Sequence, residues 1–264
     1  MNLRLAPDAR PQVKTLIWAT LLSVVLWFIP FAEFLVYPFR LFVTFIHEGG
    51  HVLASILTNS AVYSLTVSPD ASGEVLSAPD SWLAALLISS AGYIGSTIFG
   101  ALLLILIRRA VQARVVLAGT GIYVALLATV FGLFLPILNF THEGISVFGM
   151  AFTLSTGFLI AAALLLISRF ASQKVAAFFL SFLAIQCILN ALFDLKTVFF
   201  LSSPLTGSHV HTDAVNMYNA TGVPSIFWVF LWIGVSVLIV SVALRVYAIS
   251  RNRAGGQQDL PFED

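Results

Sequence analysis

Long apolar segments separated by short polar breaks account for most of the chain. A helix needs roughly 20 apolar residues to cross the hydrocarbon core of a bilayer. About seven segments are long enough, running approximately over residues 16–36, 39–57, 82–107, 115–138, 145–167, 175–201 and 226–247. The pattern predicts an all-α fold, a polytopic membrane helical bundle of about six to seven spans, organised as a single domain over residues 1–264.

The polar stretch between the second and third segments has a different periodicity. Apolar and polar side chains alternate from Tyr63 to Ser68, and the turn-forming residues Pro69–Gly73 follow. A period of two is typical of a strand, and Pro, Asp and Gly favour a turn. An ordinary solvated loop is the alternative. We expect a small β-hairpin over residues 61–76.

Three further polar segments complete the pattern. Residues 1–15 are basic and are expected to form a cytoplasmic amino-terminal segment, residues 202–224 a loop, and residues 251–264 a flexible tail. Lysines and arginines are in excess in cytoplasmic loops, and those in the later loops of the chain predict that residues 59–81 lie on the outer side of the membrane. Two full crossings before residue 59 would instead return the chain to the inside. Either the second segment does not fully cross, or the amino terminus departs from the charge rule.

Composition agrees with a membrane protein. Apolar residues make up 59% of the 264 positions and charged residues 9%, with a mean hydropathy of +0.98. The net charge of +1 provides no basic field for nucleic acid. The single cysteine, Cys187, excludes an intrachain disulfide and a zinc site of several thiolates. We expect a multi-pass protein of a bacterial plasma membrane, with the lipid bilayer as its surroundings and no nucleic-acid partner.

The second segment contains the run His47-Glu48-Gly49-Gly50-His51. Helical geometry places His47 and His51 on one face, so that both imidazoles can bind one metal ion. Glu48 lies beside them, where a carboxylate that is not a ligand can act as a general base. The pattern predicts a zinc site that still needs a third ligand.

Two other interpretations of this run remain. Ionisable groups within a membrane span are costly and are usually functional, which favours a shared purpose for the three residues. The histidines could instead form hydrogen bonds across a helix interface, or they could hold a metal ion without catalysis.

Asp194 is the strongest candidate for the third ligand, because no other carboxylate outside the His47–His51 run lies so deep within an apolar segment. Glu33 is its nearest rival, but it lies near the end of a segment. Asn190 precedes Asp194 by one helical turn and could contact a ligand or the substrate backbone. A hydrogen bond between helices is the alternative for Asn190.

The run His209-Val210-His211-Thr212-Asp213 provides two further histidines and an aspartate. A polar surface loop is the preferred interpretation. A second metal site and a lid over the active site are the alternatives, and His211 and Asp213 are kept as candidates for supporting or substrate contacts.

Gly92, Ser96 and Gly100 recur at intervals of four in the third segment. Such a stripe of small residues lets a neighbouring helix approach closely. We expect the stripe to contact the helix that contains His47.

Taken together, these motifs resemble the site-2-protease-like membrane zinc metallopeptidases, peptidase family fifty, and in particular the compact proteins of its B-like branch. The resemblance covers most of the chain. It is carried, in order, by residues 45–54, 67–73, 90–95, 190–195, 212–214 and 221–224.

The resemblance implies one zinc ion per chain, held by His47, His51 and Asp194, and zinc-activated water with Glu48 as its base. It also implies an extended substrate positioned by the hairpin through strand addition. The chain departs from classical site-2 proteases at Asp194, which is followed by Leu195 instead of glycine and has no proline nearby.

The resulting hypothesis is an intramembrane zinc metalloprotease that hydrolyses peptide bonds of membrane-embedded or membrane-tethered proteins. The alternative is a non-proteolytic zinc-binding membrane protein, such as a scaffold, a sensor or a metal carrier. A scaffold needs no general base, and a carrier needs polar residues along several spans, so Glu48 and the apolar character of the other segments favour the protease.

Overall fold

The computed structural model describes residues 10–26, 29, 33–109, 111–201 and 212–248. The helices are α1 (Arg10–Leu26), α2 (Glu33–Leu57), α3 (Trp82–Arg108), α4 (Ala113–Leu126), α5 (Leu135–Leu138), α6 (Val147–Phe170), α7 (Gln173–Leu201), α8 (Asp213–Thr221) and α9 (Ser225–Ala248). A π-helical segment, Leu127–Phe134, joins α4 to α5. Strands β1 (Ala61–Val67) and β2 (Gly73–Ala78) form one antiparallel hairpin. The predicted all-α fold with a small hairpin is confirmed.

Five helical stretches are long and apolar enough to cross a membrane. They are Trp82–Arg108, Ala113–Leu138, Val147–Phe170, Gln173–Lys196 and Ser225–Tyr247. A shorter apolar helix, Val13–Leu26, lies within α1. Helix α2 is not among the five, because its ionisable residues lower its mean hydropathy. The chain is therefore a multi-pass membrane protein. Helix α2, which contains His47–His51 and is called the motif helix below, is the most polar of the long helices.

The first predicted segment, residues 16–36, is not one helix. Helix α1 ends at Leu26, and α2 already begins at Glu33. An acidic side chain favours the positive end of a helix, which is where Glu33 lies. Hydropathy predicted a single segment because the residues between the two helices are apolar.

Helices α2 and α3 approach closely because glycines line their contact. A Cβ atom on Gly50 would overlap the main-chain carbonyl oxygen of Ala91, and one on Gly95 would lie 3.3 Å from the Cα atom of Gly50. Gly92, from the predicted stripe, also faces α2. Gly100 faces α7 instead, so the stripe serves two neighbouring helices.

The hairpin is attached to α2 through its turn. Leu65 pairs with Val75 and Val67 with Gly73 across the two strands. The Tyr37 hydroxyl donates to the carbonyl oxygen of Pro69 at 2.6 Å, and the Thr44 hydroxyl donates to that of Ala71 at 2.7 Å. These bonds hold the turn against the motif helix.

Within the turn, Asp70 organises the backbone. The main-chain N–H and the hydroxyl of Ser72 both donate to its carboxylate, at 2.9 and 2.6 Å. These two bonds hold the pKa of Asp70 below its usual range. Ala71 adopts a positive φ of 66°, a conformation that L-residues rarely adopt outside turns.

Part of the segment expected to be a loop, residues 202–224, is helical. Helix α8 begins after Thr212, whose hydroxyl accepts a hydrogen bond from the N–H of Val215, and it ends at Gly222, whose φ is +72°. These are ordinary start and stop residues for a helix. The predicted tail, residues 251–264, and residues 1–9 of the amino-terminal segment lie outside the described residues.

Replacing Gly100 by alanine is expected to destabilise the contact between α3 and α7. The added Cβ atom would lie 2.8 Å from both the Ala184 carbonyl oxygen and Ile188 Cγ1. Overpacking of this kind costs about 1–3 kcal/mol. Thermal unfolding of the purified protein, followed by tryptophan fluorescence, should show a lower midpoint.

Gly119→Ala is the matched control, because nothing lies within 4 Å of a Cβ atom at Gly119. Alanine favours a helix over glycine by up to about 1 kcal/mol, so the control should unfold at the same or a higher temperature. Equal destabilisation by the two substitutions would contradict the packing argument.

Candidate active site

The two motif histidines lie on one face of α2. Their ring centroids are 4.9 Å apart. Nδ1 of His51 lies 2.7 Å from the carbonyl oxygen of Ile88 on α3. A carbonyl can only accept, so Nδ1 carries the proton and Nε2 of His51 keeps its lone pair. This is the tautomer that a metal ligand requires.

A third side chain that could bind the same metal ion comes from the first residue of α8. Oδ2 of Asp213 lies 3.4 Å from Nε2 of His47 and 3.4 Å from Nε2 of His51. In the part of the chain that the structure describes, these three residues are the group of histidine and carboxylate side chains whose ligand atoms all lie within 4.8 Å of one another. The helix cap at Thr212 fixes where Asp213 enters the site.

Helix α3 leaves space in front of the two Nε2 atoms. A Cβ atom on Gly92 would overlap Nε2 of His47 and would lie 2.5 Å from Nε2 of His51. The residues therefore fit a zinc ion. Two imidazole nitrogens and one carboxylate oxygen are a donor set found in catalytic zinc sites, and glycine keeps their shared space open.

Aromatic packing orients the His47 ring. Tyr93 of α3 meets it edge to face, with centroids 4.6 Å apart, and Trp232 of α9 packs behind Tyr93 at 5.2 Å. The indole N–H of Trp232 donates to the Ser90 hydroxyl at 3.0 Å. Side chains of α3 and α9 thus support the His47 ring, and a hydrogen bond fixes the Trp232 side chain behind Tyr93.

Glu48 lies beside the group formed by His47, His51 and Asp213, called the ligand group below, but is not a member of it. Its side chain is buried, with 4% of the residue exposed, and it lines the same cavity as the two histidines. A Cβ atom on Gly73, the first residue of β2, would lie 2.5 Å from Oε1 of Glu48. The hairpin therefore packs directly against this carboxylate.

The cavity that contains these groups has a volume of about 940 Å³. Residues of α2, β2, α3, α7 and α8 contribute to its walls. Its described lining includes four carboxylates and no lysine or arginine, the carboxylates being those of Glu48, Glu74, Asp194 and Asp213. The volume is in the range of ligand-binding clefts, so the site has room for a substrate segment.

Asp194, the expected third ligand, lines the cavity but is not part of the group formed by the histidines. Asp213 occupies the place that was expected for Asp194. The expectation rested on depth within an apolar segment, whereas Asp213 reaches the histidines from a short helix that is not a span. Depth in a span is therefore a poor guide to which carboxylate meets the motif.

Asn190 does not line the cavity. Its amide donates to the Gln186 carbonyl oxygen at 2.9 Å and to the Gln186 side chain at 3.2 Å. The bonds lie within α7, so they support neither a ligand contact nor a bond between helices. His209 and His211 lie outside the described residues.

The position of Asp213 beside the histidines was not predicted from the sequence, although a signal for its helix was present. Thr212 precedes an acidic residue, and Gly222 follows nine residues that can form a helix. Together they predict a helix that starts with Asp213. No sequence pattern, however, places this helix against α2.

The family model described as Peptidase M50B-like matches residues 16–243 of the chain. Comparison with curated proteins and with solved structures gave no match. The matched residues include the two histidines, Glu48, the hairpin and Asp213. Because the match extends over most of the chain, the chain belongs to the Peptidase M50B-like family and is a membrane metallopeptidase in the general sense.

Proposed function

We propose that the chain is an intramembrane zinc metalloprotease that holds one zinc ion through His47, His51 and Asp213. The observation that carries this proposal is the convergence of Asp213 Oδ2 on both histidine Nε2 atoms at 3.4 Å. Glu48 stands beside this group but outside it. A protein that only stores or transports zinc has no need of a buried carboxylate in that position.

Zinc bound at this group would act as a Lewis acid, which polarises a substrate carbonyl and lowers the pKa of water. The ligand residues have complementary tasks. The bond from His51 to the Ile88 carbonyl oxygen fixes the ring and its tautomer. Asp213 supplies negative charge to the group, and Gly92 keeps the space open.

Glu48 is proposed as the general base and acid. A carboxylate next to the metal ligands can take a proton from the attacking water and return it to the leaving amine. Burial excludes competing bulk water and strengthens its electrostatic interactions. The contact with Gly73 places the start of β2 at the same point as the base.

The proposed substrate is a segment of a membrane-embedded or membrane-tethered protein. Strand β2 pairs with β1 on one side only within the two-stranded hairpin, and its residues Gly73–Ser77 line the cavity. An extended substrate could add to its free edge, which would supply main-chain hydrogen bonds. The fold supports action within a membrane, and we propose the bacterial plasma membrane as its location.

Elemental analysis should find about one zinc ion per purified chain. Loss of a residue that only hydrogen-bonds to a metal ligand lowers metal affinity by up to about 100-fold. Asp213→Ala removes a proposed ligand itself, so zinc affinity should fall by more than that. Asp194→Ala is the matched control, because it removes a cavity carboxylate outside the ligand group, and it should retain the zinc. Loss of zinc from Asp194→Ala with retention in Asp213→Ala would reverse our assignment of the third ligand.

Glu48→Gln should keep the zinc ion but lose activity by about 10²–10⁴-fold, the usual contribution of a general acid–base. Substrates can be found as membrane proteins that accumulate intact in cells expressing Glu48→Gln, and their cleavage can then be measured with the purified protein. Glu143→Gln changes an exposed carboxylate outside the cavity and should cleave at the wild-type rate. Equal cleavage by wild type and Glu48→Gln would rule out the proposed base.

A further inference from the structure

Besides the hairpin, helix α8 forms a wall of the cavity, with polar side chains. Asn216 and Asn219 both line the cavity, as Asp213 does. Asn216 is half-buried, and Asn219 is exposed. The helix that supplies the ligand atom therefore continues along the cavity with two amide side chains.

Neither amide forms a hydrogen bond to another described residue. Among the described residues, no side-chain or main-chain group is bonded to the side chain of Asn216 or Asn219. Two other asparagines behave differently, since the Asn139 and Asn190 amides donate to carbonyl oxygens one turn earlier in their own helices. The two cavity amides thus keep their donors and acceptors available.

The spacing of these amides suits a peptide backbone. Asn216 lies one turn beyond Asp213, about 4.5 Å along the helix axis, and Asn219 follows after a similar rise. An extended chain advances about 3.3 Å per residue. An amide one turn from the ligand Asp213 would meet a peptide unit within one or two residues of the bond to be cleaved.

We propose that Asn216, with Asn219 beyond it, binds the main chain of the substrate from the side of α8. An asparagine amide offers a donor to a peptide carbonyl and an acceptor to a peptide N–H, which is what main-chain recognition requires. The substrate is then bound by its backbone between α8 and the free edge of β2. This assignment rests on the proposed function, because it takes the zinc group as the place of cleavage.

Two hydroxamates of different length test this role on the purified, zinc-loaded protein. Acetohydroxamic acid can bind the metal ion but has no peptide backbone. A succinyl hydroxamate that carries a dipeptide amide adds two peptide units beyond the metal-binding group. Dissociation constants for both are measured by isothermal titration calorimetry, with zinc content determined for every variant.

Asn216→Ala should weaken the peptidyl hydroxamate by roughly 3- to 10-fold, as expected for the loss of one hydrogen bond. Binding of acetohydroxamic acid and the zinc content should not change. Asn216→Gln retains the amide and should recover most of the lost affinity. Tyr218→Ala changes an exposed residue of the same helix that does not line the cavity, and it should bind both compounds as the wild type does.

Two results would overturn the assignment while leaving the proposed function intact. One is unchanged binding of the peptidyl hydroxamate to Asn216→Ala. The other is an equal loss of both hydroxamates, which would mean that Asn216 only supports the ligand group. If the wild-type protein takes up no zinc when zinc is supplied, and therefore binds neither compound, the proposed function is contradicted, and the assignment with it.

Discussion

The arrangement depends on one contact: the carboxylate of Asp213 lies 3.4 Å from both motif histidines. These ionisable groups are largely removed from water in a membrane protein, where unpaired polar groups are costly. Sharing a single site offsets part of that cost. Helix α8 must therefore be held against α2, and the Thr212 cap, which fixes the start of α8, becomes part of the site.

The same constraint explains the glycines. Helix α3 has to pass close enough to α2 for the Ile88 carbonyl to accept from His51, yet it must leave the front of the rings free. Gly50 and Gly95 permit the approach, and Gly92 preserves the space. On the other side, Gly73 lets the hairpin meet Glu48. Glycines are thus found where α3 and β2 come closest to the histidines and to Glu48.

Much of the fold could be predicted because local patterns determine it. Apolar length located the long helices, and the alternation from Tyr63 to Ser68 located β1. The join between α1 and α2 was missed because apolar residues bridge it. The proximity of Asp213 to the histidines was not predicted for a different reason. Burial cost favoured Asp194, which stands in a span, whereas the approach of α8 to α2 is a tertiary contact that no periodicity encodes.

The most direct test is to locate the metal ion in an experimental structure of the zinc-loaded protein by anomalous scattering at the zinc edge. The ligand group predicts one peak at bonding distance, about 2.0–2.2 Å, from Nε2 of His47, Nε2 of His51 and a carboxylate oxygen of Asp213. A peak bound by Asp194 in place of Asp213, or a zinc ion held away from the two motif histidines, would contradict this arrangement.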